Sequence, residues 1–136
     1  MIVIDASATV ALLLDEDAKF PNIGSLSELT ADSLAAPSHW AVEIGNALVS
    51  NVRRRRLGRD DISWFMRRIE KLRVEVVPPP SLTETALIAD QALELGLTFY
   101  DAAYIRMALT REAVLLTLDD QMRLAAERLK IPLLPS

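Results

Sequence analysis

Four acidic residues, Asp5, Glu43, Asp101 and Asp119, occupy positions where a carboxylate could do chemistry. Each also has an ordinary reading: Asp5 as a helix cap, Asp101 as a first-turn acid favoured by the helix dipole, Asp119 as a turn residue, Glu43 as surface. As a group they are harder to place. Two carboxylates ~4 Å apart repel by about 4 kcal/mol at an effective dielectric of 20, so a fold that gathers acids has a use for a cation. The chain has no cysteine and one histidine, His39, which excludes thiolate nucleophiles, iron–sulfur clusters, disulfides and multi-histidine zinc sites. Oxygen-only ligation favours Mg²⁺ or Mn²⁺, which can acidify a water and offset charge developing on a phosphodiester.

A second chemical feature is basic. Residues 53–73 hold nine of the 15 lysines and arginines and three acids, a net charge of +6, against −10 for the rest of the chain. An acidic body with one basic strip fits local phosphate contacts better than non-specific nucleic-acid binding; the plain alternative is a solvated helix face. Arg53, Arg54, Arg55, Arg56 and Arg59 are the candidates.

The elements that position these residues follow from hydrophobic pattern. The all-apolar run 1–4 predicts a short buried parallel strand, and 33–36, 74–77, 114–117 and 131–134 read as four further strands, the one at 74–77 stopped by Pro78-Pro79-Pro80. Helices are expected from Ser7, as cap, to Leu14; from His39 to Arg56; from Asp60 to Leu72; from Ser81, in a capping box with Glu84, to Leu95 before Gly96; from Tyr100 to Arg111; and from Gln121 to Leu129. A weaker helix and a loop are expected between Asp15 and Leu34. The 39–56 helix reads as apolar nearly all round, packed on most sides, with a polar stripe of His39, Glu43, Asn46 and Ser50. Strands alternating with helices predict an α/β fold: a parallel sheet of about five strands flanked by helices on both faces, in one domain over 1–136. In such a sheet sites form beyond the carboxyl ends of the strands, where Asp5, Asp119 and Asp120 fall. Asp120 reads as a helix cap or auxiliary acid.

Four fragments carry a family resemblance: Ile2-Val-Ile-Asp-Ala-Ser7, the stretch from Pro37 to Leu48, Tyr100-Asp-Ala-Ala-Tyr104, and Leu115-Leu-Thr-Leu-Asp119. In this order they resemble a PIN domain, specifically a VapC-type toxin ribonuclease. The resemblance implies that Asp5, Glu43, Asp101 and Asp119 bind Mg²⁺ or Mn²⁺, with Ser7 and Thr117 supporting the first and last acid. It also implies endonucleolytic cleavage of RNA by an activated water, a homodimer, and a small antitoxin protein that covers the cleft. All four acids are present, which argues against an inactive copy.

Composition bounds the remaining readings. At 51% hydrophobic and 25% charged the chain has ample core material. No apolar run approaches ~18 residues, and the N-terminus lacks a basic leader, so a cytoplasmic protein without a membrane segment is expected. Seven aromatic residues leave little for base stacking; Trp40 and Trp64 read as core or interface, and His39 as hydrogen-bonded or solvated. Alternatives are a housekeeping RNA-processing nuclease, a non-catalytic partner-binding scaffold, and a receiver-like phospho-acceptor domain, for which Lys130 precedes rather than ends the last strand.

Overall fold

The computed structural model describes residues 1–14 and 32–136; for residues 15–31 the expected weak helix and loop lie outside the described residues. Strands β1 (Ile2–Ile4), β2 (Leu34–Ala36), β3 (Glu75–Val76), β4 (Val114–Leu116) and β5 (Leu133–Leu134) form one sheet in the order β3-β2-β1-β4-β5, every pair parallel. Six helices accompany them among the described residues: α1 (Ala6–Leu13), α2 (Trp40–Arg53), α3 (Asp61–Lys71), α4 (Leu82–Leu95), α5 (Phe99–Thr110) and α6 (Asp120–Arg128).

The central strands β2, β1 and β4 are apolar throughout because both faces of the sheet are covered there, whereas both residues of the edge strand β3 are exposed. Val3, in register with Ala35 and Leu115, packs with Trp40, Ile44, Leu48, Tyr104 and Ile105. Ile2, Ile4, Leu34 and Leu116 point the other way and pack with Ala8, Ala11 and Leu72. Burying each of these large side chains contributes about 1.5–3 kcal/mol. The chain builds outward from β1 to β3 on one side, then returns to lay β4 on the other. The order therefore reverses between β1 and β4, the place where open α/β sheets leave a crevice.

The expectation of all-round packing for the second helix is corrected. Helix α2 buries only the stripe Trp40, Ile44 and Leu48, leaving Val42 and Val49 exposed. The two tryptophans divide: Trp40 is core, its indole donating to Thr9 Oγ1 at 3.1 Å, whereas Trp64 stays exposed beneath the Arg68 guanidinium, 4.7 Å from its ring centre.

Helices α2, α5 and α6 stop one to three residues earlier than their patterns suggest. Each closes in the same way: after α2, Arg55 at φ 58° donates to Val52 O and Arg56 donates to Asn51 O. Glu112 at φ 51° and Lys130 at φ 58° do the same for α5 and α6. These are Schellman endings carrying side chains where glycine is favoured. Only α4 among these uses glycine, Gly96 at φ 67°, and its end falls at Leu95 as its pattern predicts.

Candidate active site

Helices α1, α2 and α6 start directly after strands β1, β2 and β4, which sets their N-termini at the carboxyl edge of the sheet, and α5 follows α4 and leads into β4; the four acids sit at the starts of these four helices. Asp5 follows β1 and caps α1, accepting the Ala8 N–H at 2.7 Å; this replaces the expected cap Ser7, which lies inside the helix. Asp119 caps α6 through Met122 N–H at 2.8 Å, so the cap is Asp119 and not Asp120, the helix's first residue. Glu43 and Asp101 stand in the first turns of α2 and α5. Helix dipoles offset part of the cost of each charge.

Asp5 is the most constrained. It is 4% exposed, and its carboxylate also takes hydrogen bonds from Ser7 Oγ (3.0 and 3.1 Å) and from the buried Thr117 hydroxyl (2.5 Å). The Thr117 hydroxyl in turn accepts the Asp119 N–H at 3.1 Å, tying the ends of β1 and β4 across the crevice. Below, the Thr9 hydroxyl donates to the Asp5 carbonyl at 2.7 Å while holding Trp40, which fixes α1 against α2. Burial nevertheless outweighs these bonds and pushes the Asp5 carboxyl up to about 6, with the Glu43 charge adding to the rise.

The other acids are linked electrically. Asp101, half-buried, has its pKa raised by burial first, then by the charges of Asp119 and Glu43. Glu43 Oε1 accepts the hydroxyl of Tyr104, a residue 1% exposed, at 2.7 Å. Burial, the bond to Glu43 and the charges of Glu43 and Asp5 together keep that phenol protonated. His39 Nε2 donates to Tyr100 O at 3.0 Å and lies 3.5 Å from Glu43 Oε1.

Among the described residues no lysine or arginine forms an ion pair with any of the four acids. Their side chains do not close to the spacing of ligands around one ion: no three His, Cys, Asp or Glu side chains among the described residues are grouped that tightly. What they form is a patch of carboxylates with His39 at its rim, in which burial and mutual repulsion raise the pKa values of Asp5 and Asp101. Its donor chemistry fits a hard divalent cation and suits no softer metal.

Sequence reading overlooked Thr9, and took Tyr104 only as the end of a family fragment. Spacing carried a signal for both: Thr9 lies one helical turn from Asp5, and Tyr104 three residues from Asp101 on the same helix. Of the basic candidates, all five arginines are exposed. The left-handed turn at Arg55 brings Arg56 to a cleft of about 330 Å³ that it lines with Ser7, Asn51 and Asp119, whereas Arg53 is still helical and Arg59 lies beyond the turn.

Comparison with known proteins adds a separate line of evidence. The family model described as PIN domain matches residues 2–128. The chain is similar to the crystal structure of PAE2754 from Pyrobaculum aerophilum at 30% sequence identity, covering 89% of this chain and 81% of that one, with a TM-score of 0.64. No curated protein matches.

Proposed function

The chain belongs to the PIN domain family, in general metal-dependent nucleases acting on RNA, and from that premise we propose that it is a Mg²⁺- or Mn²⁺-dependent endoribonuclease, the toxin of a toxin–antitoxin pair. The observation that carries the reading is the electrostatic coupling of Asp5, Glu43, Asp101 and Asp119 at the switch point of the sheet with no lysine or arginine paired to any of them among the described residues. When bound, the divalent cation acidifies water and offsets negative charge on the phosphodiester. The protein's own part is positioning. Ser7 and Thr117 hold the Asp5 carboxylate, Tyr104 holds Glu43, and the α6 N-terminus holds Asp119. Arg56 beside Asp119, with Arg53, Arg54, Arg55 and Arg59 along the same segment, binds flanking phosphates. Hydrolysis adds the water oxygen to phosphorus and breaks one bridging P–O bond.

Partners follow from surfaces. Helix α4 leaves Leu82 and Leu93, 90% and 84% exposed, on one stripe suited to a second copy of the chain in a homodimer. A cleft lined by Leu13, Leu14, Leu57, Trp64 and Phe65 suits an apolar segment of the antitoxin. Among the described residues no helix is long and apolar enough to cross a membrane, in keeping with the cytoplasmic location proposed.

The decisive experiment is cleavage of RNA by purified protein with Mg²⁺, Mn²⁺ or EDTA, beside Asp101→Asn as control. Cleavage that requires the cation and is lost in Asp101→Asn is expected; equal cleavage in EDTA overturns the metal mechanism. For the toxin role, expression should arrest growth, and a short adjacent reading frame encoding a DNA-binding protein should relieve it; a chain expressed without arrest is a processing nuclease instead.

A further inference from the structure

Next to the acids, and sharing no lining residue with the Arg56 cleft, the structure holds a further cavity that the nuclease chemistry leaves unexplained. It measures about 390 Å³, within the range of pockets that enclose small organic groups. Pro78, Pro80, Phe99, Tyr100 and Met107 contribute its apolar lining. The prolines arise from the run that terminates β3, so much of this lining is rigid before anything binds. His39 lines it too, and joins it to the acids: its Nε2 is 3.0 Å from Tyr100 O and 3.5 Å from Glu43 Oε1, while Asp101 follows Tyr100 in the chain. A group seated in the cavity is therefore a short step from the acids.

Ser38, His39, Thr110 and Arg111 add polar groups to the lining, and across it lies a matched pair of opposite charge. Arg106 Nε donates to Glu84 Oε1 at 2.6 Å, and both residues line the space. That bond uses one nitrogen and one oxygen, which leaves the Arg106 Nη donors and Glu84 Oε2 for an occupant. This bond also corrects the expected capping box: Ser81 accepts the Glu84 N–H at 3.1 Å, but the Glu84 side chain turns to Arg106 instead of returning to the Ser81 backbone. An apolar, aromatic-bearing recess whose polar edge offers an acceptor beside donors is the complement of a nucleobase, which has apolar faces and a hydrogen-bonding rim.

We propose that the cavity between the β3 end and helices α4 and α5 binds the base of a nucleotide flanking the cleaved bond, with Glu84 and Arg106 reading its edge. The inference rests on the RNA-cleaving reading above. Of the four bases guanine fits the pair best, because its edge sets N–H donors for a carboxylate beside a carbonyl acceptor for a guanidinium. Glu84 and Arg106 set specificity, and the acids on the other side of His39 perform the chemistry. The two clefts then define a path for the strand: phosphate contacts at Arg56, the acids in the middle, a captured base at the far side.

The test separates base reading from cleavage. Labelled uridine pentamers carrying guanine, adenine or cytosine at each position in turn are titrated by fluorescence anisotropy in EDTA, where repulsion between acids and phosphates weakens every oligonucleotide alike and the ratio of Kd values isolates the base. The parent protein is expected to prefer guanine over uracil at one position by about tenfold, in keeping with one well-formed bidentate contact. Glu84→Gln and Arg106→Met should each bring that ratio below about threefold, with the melting shift produced by Mg²⁺ unchanged. The position of cleavage in Mn²⁺ should lose its base preference in the same variants. A ratio near one in the parent, or a preference that survives both substitutions, overturns the proposal. Loss of antitoxin binding in the variants without any base preference in the parent assigns the cavity to the protein partner and overturns it as well. If the parent cuts no RNA with either metal, the nuclease reading falls, and the Kd ratios alone decide whether a base is bound.

Discussion

Replacing Asp5 by Asn isolates the cost of gathering acids at one edge. The carboxyl lies at about 6 in the fold against an ordinary 3.8, so the folded protein holds this proton more tightly than the unfolded chain does. Stability associated with the group is therefore fully present below about pH 4 and is lost as pH rises through 6. At 1.36 kcal/mol for each pH unit, ionised Asp5 costs the metal-free fold about 3 kcal/mol. Asparagine removes that cost but brings an amide N–H₂ against the Thr117 hydroxyl, whose hydrogen now points at Asp5 Oδ2 and whose oxygen already serves the Asp119 N–H. The hydroxyl must turn, toward Met122 Sδ at 3.8 Å, at a cost of about 1 kcal/mol. The net gain of about 2 kcal/mol at pH 7.5 corresponds to about 7 °C in a domain of this size. Thermal melts in EDTA, parent beside Asp5→Asn, should show the variant higher at pH 7.5, equal near about pH 4.5, and lower at pH 4. Other titrating groups are common to both proteins, so the difference reports Asp5 alone. Adding Mg²⁺ should then raise the parent more than the variant, because a ligand that binds only the folded state stabilises by mass action. A variant that melts lower at every pH by a constant amount, and gains as much from Mg²⁺, refutes the reasoning and makes Asp5 a structural cap alone.

Three further outcomes are expected. Thr117→Val leaves the part-buried Asp119 N–H without its hydroxyl partner and removes a donor from the buried Asp5, so the melting temperature at pH 7.5 should fall by about 5–10 °C, about 2–3 kcal/mol; an unchanged melt shows that the hydroxyl does not tie β1 to β4. Arg56→Ala should lower the slope of log Kd against log salt for single-stranded RNA by about 0.7, read from a salt titration, and an unaltered slope removes Arg56 from the phosphate contacts. Arg55→Gly relieves a left-handed residue and should raise the melting temperature by about 3 °C, about 1 kcal/mol, if Arg55 itself binds no partner; a fall shows that its side chain does more than close the helix.

How much of this was readable beforehand depends on the kind of signal. The sheet was legible because strands buried on both faces leave continuous apolar runs: Ile2–Ile4 and Val114–Leu116 stand out on that ground alone. The end of α4 was legible because Gly96 marks it, whereas those of α2, α5 and α6 were not, since Arg55, Glu112 and Lys130 take the left-handed turn without the residue that announces it. The packing of α2 was misread for a different reason. An apolar residue such as Val42 carries no mark of which side of a helix the rest of the molecule will occupy. The four acids were legible by position after strands and at helix starts, but the bonds that hold them were not. Tyr104 and Glu43 are 61 residues apart and Thr117 and Asp5 are 112 apart, distances at which only the folded chain reveals a pair.

Those same separations set the moment at which the site comes into existence. During synthesis β1 and Asp5 emerge before the other strands of the sheet, yet β1 gains its second neighbour only when residues 114–116 leave the ribosome, and Asp119 follows them. Until then the crevice has one wall, the Thr117 hydroxyl is not yet there to hold Asp5, and the loop to be closed spans most of the chain. An incomplete nascent chain therefore presents scattered carboxylates to the very RNA and ribosome that are making it. Order of assembly places the last acid late, so the four carboxylates share one edge only after β4 has paired with β1 and Asp119 has followed it.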